Sequence, residues 1–203
     1  MAAPARPAAR SRSLRLAAVV ASLLVAMSAR AEPQTFVLEP ASTHAHFELM
    51  HFGTSTIRGR FGPVPGTVTL DRARGSGELG LRIDTRTLDT GIPVLNARLK
   101  QADLIAVEAF PEAYYVARQF RFEGDRLAEV RGEFTFRGIS QALSLTARRF
   151  GCRIEINTEI CGGDFEGELL RSEFGASLLV PLVGDRVRLL VQVEGQRALS
   201  PAR

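Results

Sequence analysis

The side chains best equipped for chemistry are few. All three His of the chain lie close together, at His44, His46 and His51. His44, His46 and Glu48 spell H-x-H-x-E, a pattern that suggests a metal site. On an extended strand His44 and His46 share a face about 6.7 Å apart, but Glu48 lies about 13 Å from His44. One ion does not easily collect all three, so the competing reading is a solvated outer face. His51 has the opposite parity. Arg118 shares parity with Tyr114, Val116, Phe120 and Phe122, where a lone buried cation is costly. Either it meets a carboxylate or a ligand head group, or a β-bulge turns it outward. Cys152 and Cys161 are the only cysteines. The C-x8-C spacing without nearby His argues against zinc. The chain holds no G-x-S-x-G elbow, no H-E-x-x-H and no Walker loop.

The first residues bear on all of this. Arg6, Arg10, Arg12 and Arg15 precede an apolar run over residues 16–27, and Ala29 and Ala31 bracket Arg30. This is the layout of a secretory signal peptide, cut after Ala31. The apolar run, about 12 residues, is too short to anchor in a bilayer. The expected domains are therefore a removed segment, 1–31, and a single domain, 32–203. Five of the 26 basic residues and none of the 22 acidic ones belong to the removed segment. The remainder carries 21 against 22, a net charge of −1. No basic footprint for nucleic acid is left. In an exported chain the two cysteines read as a disulfide, contributing roughly 2–3 kcal/mol by constraining the unfolded chain.

The elements that must position these groups are strands. Period-two alternation recurs, as in Ala45, Phe47 and Leu49 against His44, His46 and Glu48, and in Val187, Leu189 and Val191 against Arg188 and Gln192. Turn residues punctuate the runs, as at Gly75, Gly124 and Gly138. One apolar and one polar face per strand indicates antiparallel sheet with one side in water. The expected fold class is all-β, an antiparallel β-barrel of about eight strands with a short helical insert. The insert is expected over residues 93–107, as one helix or two, ending before Phe110 and Pro111. Alternation does not say whether the interior is a solid core or a tunnel, since an eight-strand barrel does either. An outer-membrane barrel would show aromatic girdles. The chain has no Trp and two Tyr, so no stable membrane insertion is expected.

Several stretches carry a family likeness in order. They are Leu38 to Ala41 with Phe47, His51 and Gly53, then Ser55–Phe61, then Ile83 and Asp84 followed by Leu88, Asp89, Thr90 and Gly91. Leu99, Ala102, Asp103, Val107, Glu108, Phe110 and Pro111 follow. Gly132, Phe136, Arg137, Gly138 and Ile139 come next, and then Arg171, Ser172, Glu173, Phe174 and Gly175. Gly184, Asp185, Arg186 and Val187 complete the set. Together the motifs resemble the YceI-like family of exported lipid-binding proteins. Cys152 and Cys161-Gly162-Gly163-Asp164 look closest to a paired-Cys subset of it. Glu39, Ser42, Arg98 and Ala106 depart from the family's usual residues.

The resemblance implies a lipocalin-like barrel in the bacterial periplasm, binding an isoprenoid, quinone-like or other long-chain amphiphile in its pore. Family members also occur as homodimers. No cofactor is implied beyond such a lipid. The expected pore contacts from the wall are Phe47, Leu49, Ile57, Phe61, Leu81 and Phe120, with Phe134, Phe136, Leu145 and Leu189. Leu99, Leu104 and Ile105 of the insert, and the run 178–182, are expected to act as lids. Head-group contact falls to His51, Arg58, Arg118 and Arg171, with Arg–carboxylate pairing as the structural alternative. The expected function is lipid binding without catalysis. The alternative is a periplasmic hydrolase of small esters or amides, using an Asp, His51 and a Ser in the barrel interior.

Overall fold

The computed structural model describes residues 32–124 and 126–199; the expected signal segment lies outside the described residues. Ten strands form one antiparallel sheet. They are β1 (Gln34–Leu38), β2 (His44–His51), β3 (Ser55–Phe61), β4 (Gly66–Asp71) and β5 (Ser76–Asp84). After a crossover come β6 (Glu112–Glu123), β7 (Arg126–Phe136), β8 (Ile139–Glu155), β9 (Thr158–Leu170) and β10 (Arg186–Ala198). β1 bonds to β4 on one side and β10 on the other, so β1 and β4 to β10 close an eight-strand barrel. Closure leaves these strands no open edge. The hairpin β2–β3 continues the wall beyond β1, with Phe47 opposite Leu189 of β10. The outer edge of β3 is met by the crossover, where Arg60 and Asp89 exchange both backbone hydrogen bonds, at 2.9 and 3.0 Å.

The upper end of the barrel carries the crossover over residues 85–111 and the β9–β10 loop over residues 171–185. The insert is less helical than its spacing predicts. The one α-helix in it, α1, spans Pro93–Leu99. Tight turns follow, with Ile105 N donating to Leu99 O and Ala106 N to Gln101 O. A continuous helix would put Leu99 and Leu104 about 140° apart, and both line the same cavity. The turns bring them to one side.

Register shifts reset the alternation at three places, one of them where Arg121 and Phe122 of β6 meet Glu129 and Leu127 of β7. In β6 the register shifts between Ala117 and Gln119. Ala113, Tyr115 and Ala117 face in before it and Phe120 after it, while Tyr114, Val116 and Arg118 are exposed. The shared parity of Arg118 with Phe120 is thus an artefact of an extra residue. In β8 a shift between Ala147 and Arg149 sends both Arg148 and Arg149 outward, onto Glu166 and Asp164. Cys152 and Cys161 face each other across β8 and β9 and form the disulfide.

The outer wall is charged in an ordered way. Arg58, Glu48, Arg188, Glu166 and Arg148 alternate in sign across β3, β2, β10, β9 and β8. Hydrogen bonds from Arg188, then Arg148, pull the Glu166 carboxyl from 4.5 down to about 2. A depressed carboxylate pKa adds stability that is present above its unfolded value and lost as pH falls toward the folded one. The Arg partners are well exposed, so the contribution is modest and screened by salt. Glu166→Gln should therefore lower the urea midpoint at pH 7. The gap to wild type should close as pH falls from about 4.5 to about 2, read as paired denaturation curves.

Candidate functional site

The inward faces do not meet in a solid core. Three apolar cavities lie along the barrel. The upper one, about 150 Å³, is walled by Leu49, Ile57, Leu169, Val187 and the crossover residues Leu99, Leu104 and Ile105. The middle one, about 70 Å³, reaches Val64, Leu81, Ile83, Tyr115 and Leu145. The lower one, about 50 Å³, is lined by Leu70, Phe120, Leu127, Phe165 and the disulfide's Cys161. Phe47, Phe61, Phe134, Phe136 and Leu189 line both the upper and middle cavities, and so partition them. Leu81, Leu145 and Val191 stand likewise between middle and lower.

Local backbone chemistry builds the partition. Phe47 and Phe61 pack at 5.6 Å between centroids. Phe134 and Phe136 stack at 6.0 Å, and both meet Phe174 edge-on. Such offset and edge-to-face geometries suit the ring quadrupoles. Phe47 has its place because Gly59 stands opposite it on β3. A Cβ at Gly59 would come within 2.5 Å of the Phe47 ring.

Two hydroxyls that reach the interior are satisfied locally, whereas the buried Nδ1 of His44, beside the middle cavity, has no hydrogen-bond partner among the described residues. The Tyr115 hydroxyl lies 3.1 Å from the carbonyls of both Val130 and Leu143, and burial pushes its pKa up. Thr85 Oγ1 donates to Phe110 O at 2.8 Å. Among the described residues, no Ser, Asp or Glu lines any of the three cavities.

The ten wall residues expected from sequence as pore contacts, and Leu99, Leu104 and Ile105 of the insert, each line at least one of the cavities. The four residues expected at a head group are scattered. Arg58 lies on the outer wall, 2.8 Å from Glu48. Arg118 lies there too, 3.4 Å from Glu78. His51 ends β2 and packs edge-on against Phe52. Arg171 alone lines the upper cavity. Instead of pairing with a carboxylate there, its guanidinium donates to four carbonyls. These are Gly184 O at 2.9 Å, Leu178 O at 2.9 Å, Val183 O at 2.8 Å and Ala176 O. Burial lowers its pKa, opposed by Asp185. None of residues 178–182, expected as a second lid, lines the cavity, and Leu179, Val180 and Leu182 are exposed. His44 and His46 are half-buried and both border the middle cavity, His46 also facing an outer groove with Glu48 and Arg58. Burial, then His44, then Arg60 hold His46 below its ordinary pKa.

Sequence reasoning overlooked Arg137. It donates to Phe174 O at 3.1 Å, to Ala102 O at 3.1 Å and to Leu104 O, tying the crossover to the β9–β10 loop. Its signal was the Arg137-Gly138 pair. Both residues take positive φ, 51° and 71°, as a two-residue hairpin turn requires.

Arg171→Met should leave the four loop carbonyls without their donors. We expect a loss of about 2–4 kcal/mol in global stability. Amide exchange should accelerate first in residues 176–184, and hydrogen-exchange mass spectrometry reads both effects.

Comparison with known proteins follows this geometry closely. Residues 36–195 match the family model described as the YceI-like domain. The protein named YceI of Salmonella arizonae is 26% identical over 164 residues, covering 79% of this chain and 85% of its own. The crystal structure of Burkholderia cenocepacia BcnA superposes with a TM-score of 0.64 at 18% identity, over 77% of this chain and 98% of that one. A polyisoprenoid binding domain from Saccharophagus degradans, implicated in plant cell wall breakdown, superposes at 0.57 and 16%, over 80% and 98%. The solved structures share the fold, and the family model spans nearly the whole described barrel: the chain belongs to the YceI-like family.

Proposed function

We propose that this protein is an exported binding protein that takes the apolar tail of a long-chain amphiphile, isoprenoid or quinone-like, into the barrel from its upper end. The observation that carries this reading is the run of apolar cavities divided by side chains alone, with none of the described backbone between them. The upper cavity is of the size at which an apolar pocket holds a benzene-sized ligand (about 150 Å³). It accepts the first branched unit of a prenyl chain as it stands. A longer tail reaches the middle cavity only by swinging aside the Phe47, Phe61, Phe134 and Phe136 rings or Leu189. Each methylene taken from water contributes about 0.8 kcal/mol, so affinity rises with tail length until moving the partition costs more.

Binding is favoured over hydrolysis by the lining itself. Acyl transfer needs a free nucleophile within about 3 Å of a base. The described lining holds no Ser and no carboxylate, and its two threonine hydroxyls, Thr43 and Thr85, beside His44 and His46 in the middle cavity, donate to the carbonyls of Glu194 and Phe110. Export is supported by the Arg-rich, then apolar, start of the chain and by the Cys152–Cys161 disulfide. The S. degradans domain, named for polyisoprenoid binding, adds weight to the choice of ligand class.

Mass spectrometry of organic extracts from the purified native protein should show a co-purifying long-chain lipid. Titration with prenyl alcohols of increasing length should show affinity rising with length. Leu189→Trp fills the boundary between upper and middle cavities. It should weaken binding of the longer alcohols by at least tenfold, while overpacking costs about 1–3 kcal/mol of stability. Unchanged binding by a folded Leu189→Trp protein would place the ligand elsewhere.

A further inference from the structure

Two loops frame the upper cavity and carry apolar side chains outward. The first is the β2–β3 turn, with Met50 and Phe52 exposed. The second is the β9–β10 loop, with Leu179, Val180 and Leu182 exposed. The loops are fastened together, since Phe52 N donates to Leu182 O at 2.8 Å and Gly184 N to Met50 O at 2.7 Å. Each is rooted in the cavity. Leu49 and Ile57 flank the first loop and Ala176 and Val183 the second, and all four line the upper cavity. The rim and the ligand site therefore form one continuous apolar surface.

The side chains are held out at some cost. Phe52 has φ 50° and Leu179 φ 59°, a left-handed backbone that bulky residues avoid. Yet they are 51% and 50% exposed, and Leu182 58%. The charge pattern is equally selective. The barrel wall is laced with ion pairs, whereas residues 174–184 carry no ionisable side chain and residues 49–57 only His51. A surface without charge matches the interface of a bilayer of net-neutral lipids, where it enters without stripping water from ions. It is small for a protein partner. Five half-exposed side chains present roughly 400–500 Å², against about 800 Å² per side in a stable specific interface.

We propose that the barrel docks upper end first on the surface of a net-neutral bilayer, inserting the Met50–Phe52 turn and the loop at residues 179–182. The tail of the ligand then passes between membrane and cavity without crossing water. The passage of ligand rests on the binding function proposed above; the docking itself does not.

The test uses the whole exported chain and vesicles of phosphatidylcholine. Because the chain has no Trp, Phe52→Trp supplies a single reporter. Its emission should shift to the blue on adding vesicles and be quenched by lipids brominated near the head group. Wild-type protein should float with vesicles equally at low and high salt, since no charge is involved. The combined variant Phe52→Ser, Leu179→Ser, Leu182→Ser should lose vesicle partition by at least about tenfold. None of the three side chains lines a cavity, so it should keep its affinity for a dispersed prenyl alcohol and its melting temperature. No blue shift in a protein that still binds the alcohol overturns docking and leaves the binding function standing. Partition retained by the triple variant, or abolished by salt, also overturns it. A Trp already shielded before vesicles are added, in a protein that sediments as a dimer, assigns the rim to a second copy and overturns it too. Vesicle binding by a protein that takes up no alcohol upholds docking and removes the binding function.

Discussion

A closed barrel of eight strands encloses a volume that its inner side chains fill only in part, and how they share that volume governs everything the molecule can hold. Here the wall points Phe, Leu and Val inward in alternation, but neither a packed core nor an open tunnel results. The interior is segmented into three cavities at two constrictions. Packing to crystal density would have removed the cavities. Their persistence reflects the geometry of the wall, which sets the diameter by backbone hydrogen bonds before any side chain is placed. Rings at Phe47, Phe61, Phe134 and Phe136 span the gap from opposite sides of the barrel. They are held by ring–ring contacts rather than by hydrogen bonds. On the proposed binding function, a segmented interior of this kind favours flexible, branched tails, which can be threaded unit by unit. Rigid ligands of the same volume would need every constriction open at once.

Much of this was legible in the sequence, because strand periodicity is written residue by residue. The inward apolar positions of β2, β3, β7 and β10 follow directly from alternation. Legibility failed where the period broke. One extra residue at Arg118 reverses the parity of β6, and no local signal in an Arg flanked by Ala117 and Gln119 announces it. The short helix of the insert was legible at Pro93–Leu99, but its end was not. The insert's apolar spacing resembles a helix, but both Leu99 and Leu104 must reach one cavity, a tertiary demand that no window of sequence contains. The roles of Arg137 and Arg171 were hidden for the same reason. Their partners are backbone carbonyls of distant loops, and carbonyls have no sequence identity. Among the candidate site residues, the apolar wall positions were therefore readable and the cations were not.

Those two arginines explain how the upper end remains apolar. A loop with no regular structure exposes carbonyls that need donors. Most loops meet that need with water or with polar side chains of their own, and so become hydrophilic. In the β9–β10 loop the donors come from below. Arg171 reaches up from the end of β9 and satisfies four carbonyls at once, and Arg137 satisfies Phe174 from the adjoining turn. Because the guanidinium carries five N–H groups in a fixed fork, one buried side chain replaces what would otherwise be several polar loop residues. The positive charge is balanced by carbonyl dipoles and the nearby Asp185, which itself accepts from Ser172 N at 2.8 Å and Ser172 Oγ at 2.7 Å. The loop is thus relieved of any need for charge on its outer side. Leu179, Val180 and Leu182 occupy positions that would ordinarily be Ser, Asn or Lys. The cation for which the sequence left open head-group contact or carboxylate pairing organises the loop from within, and so leaves the rim free to be apolar.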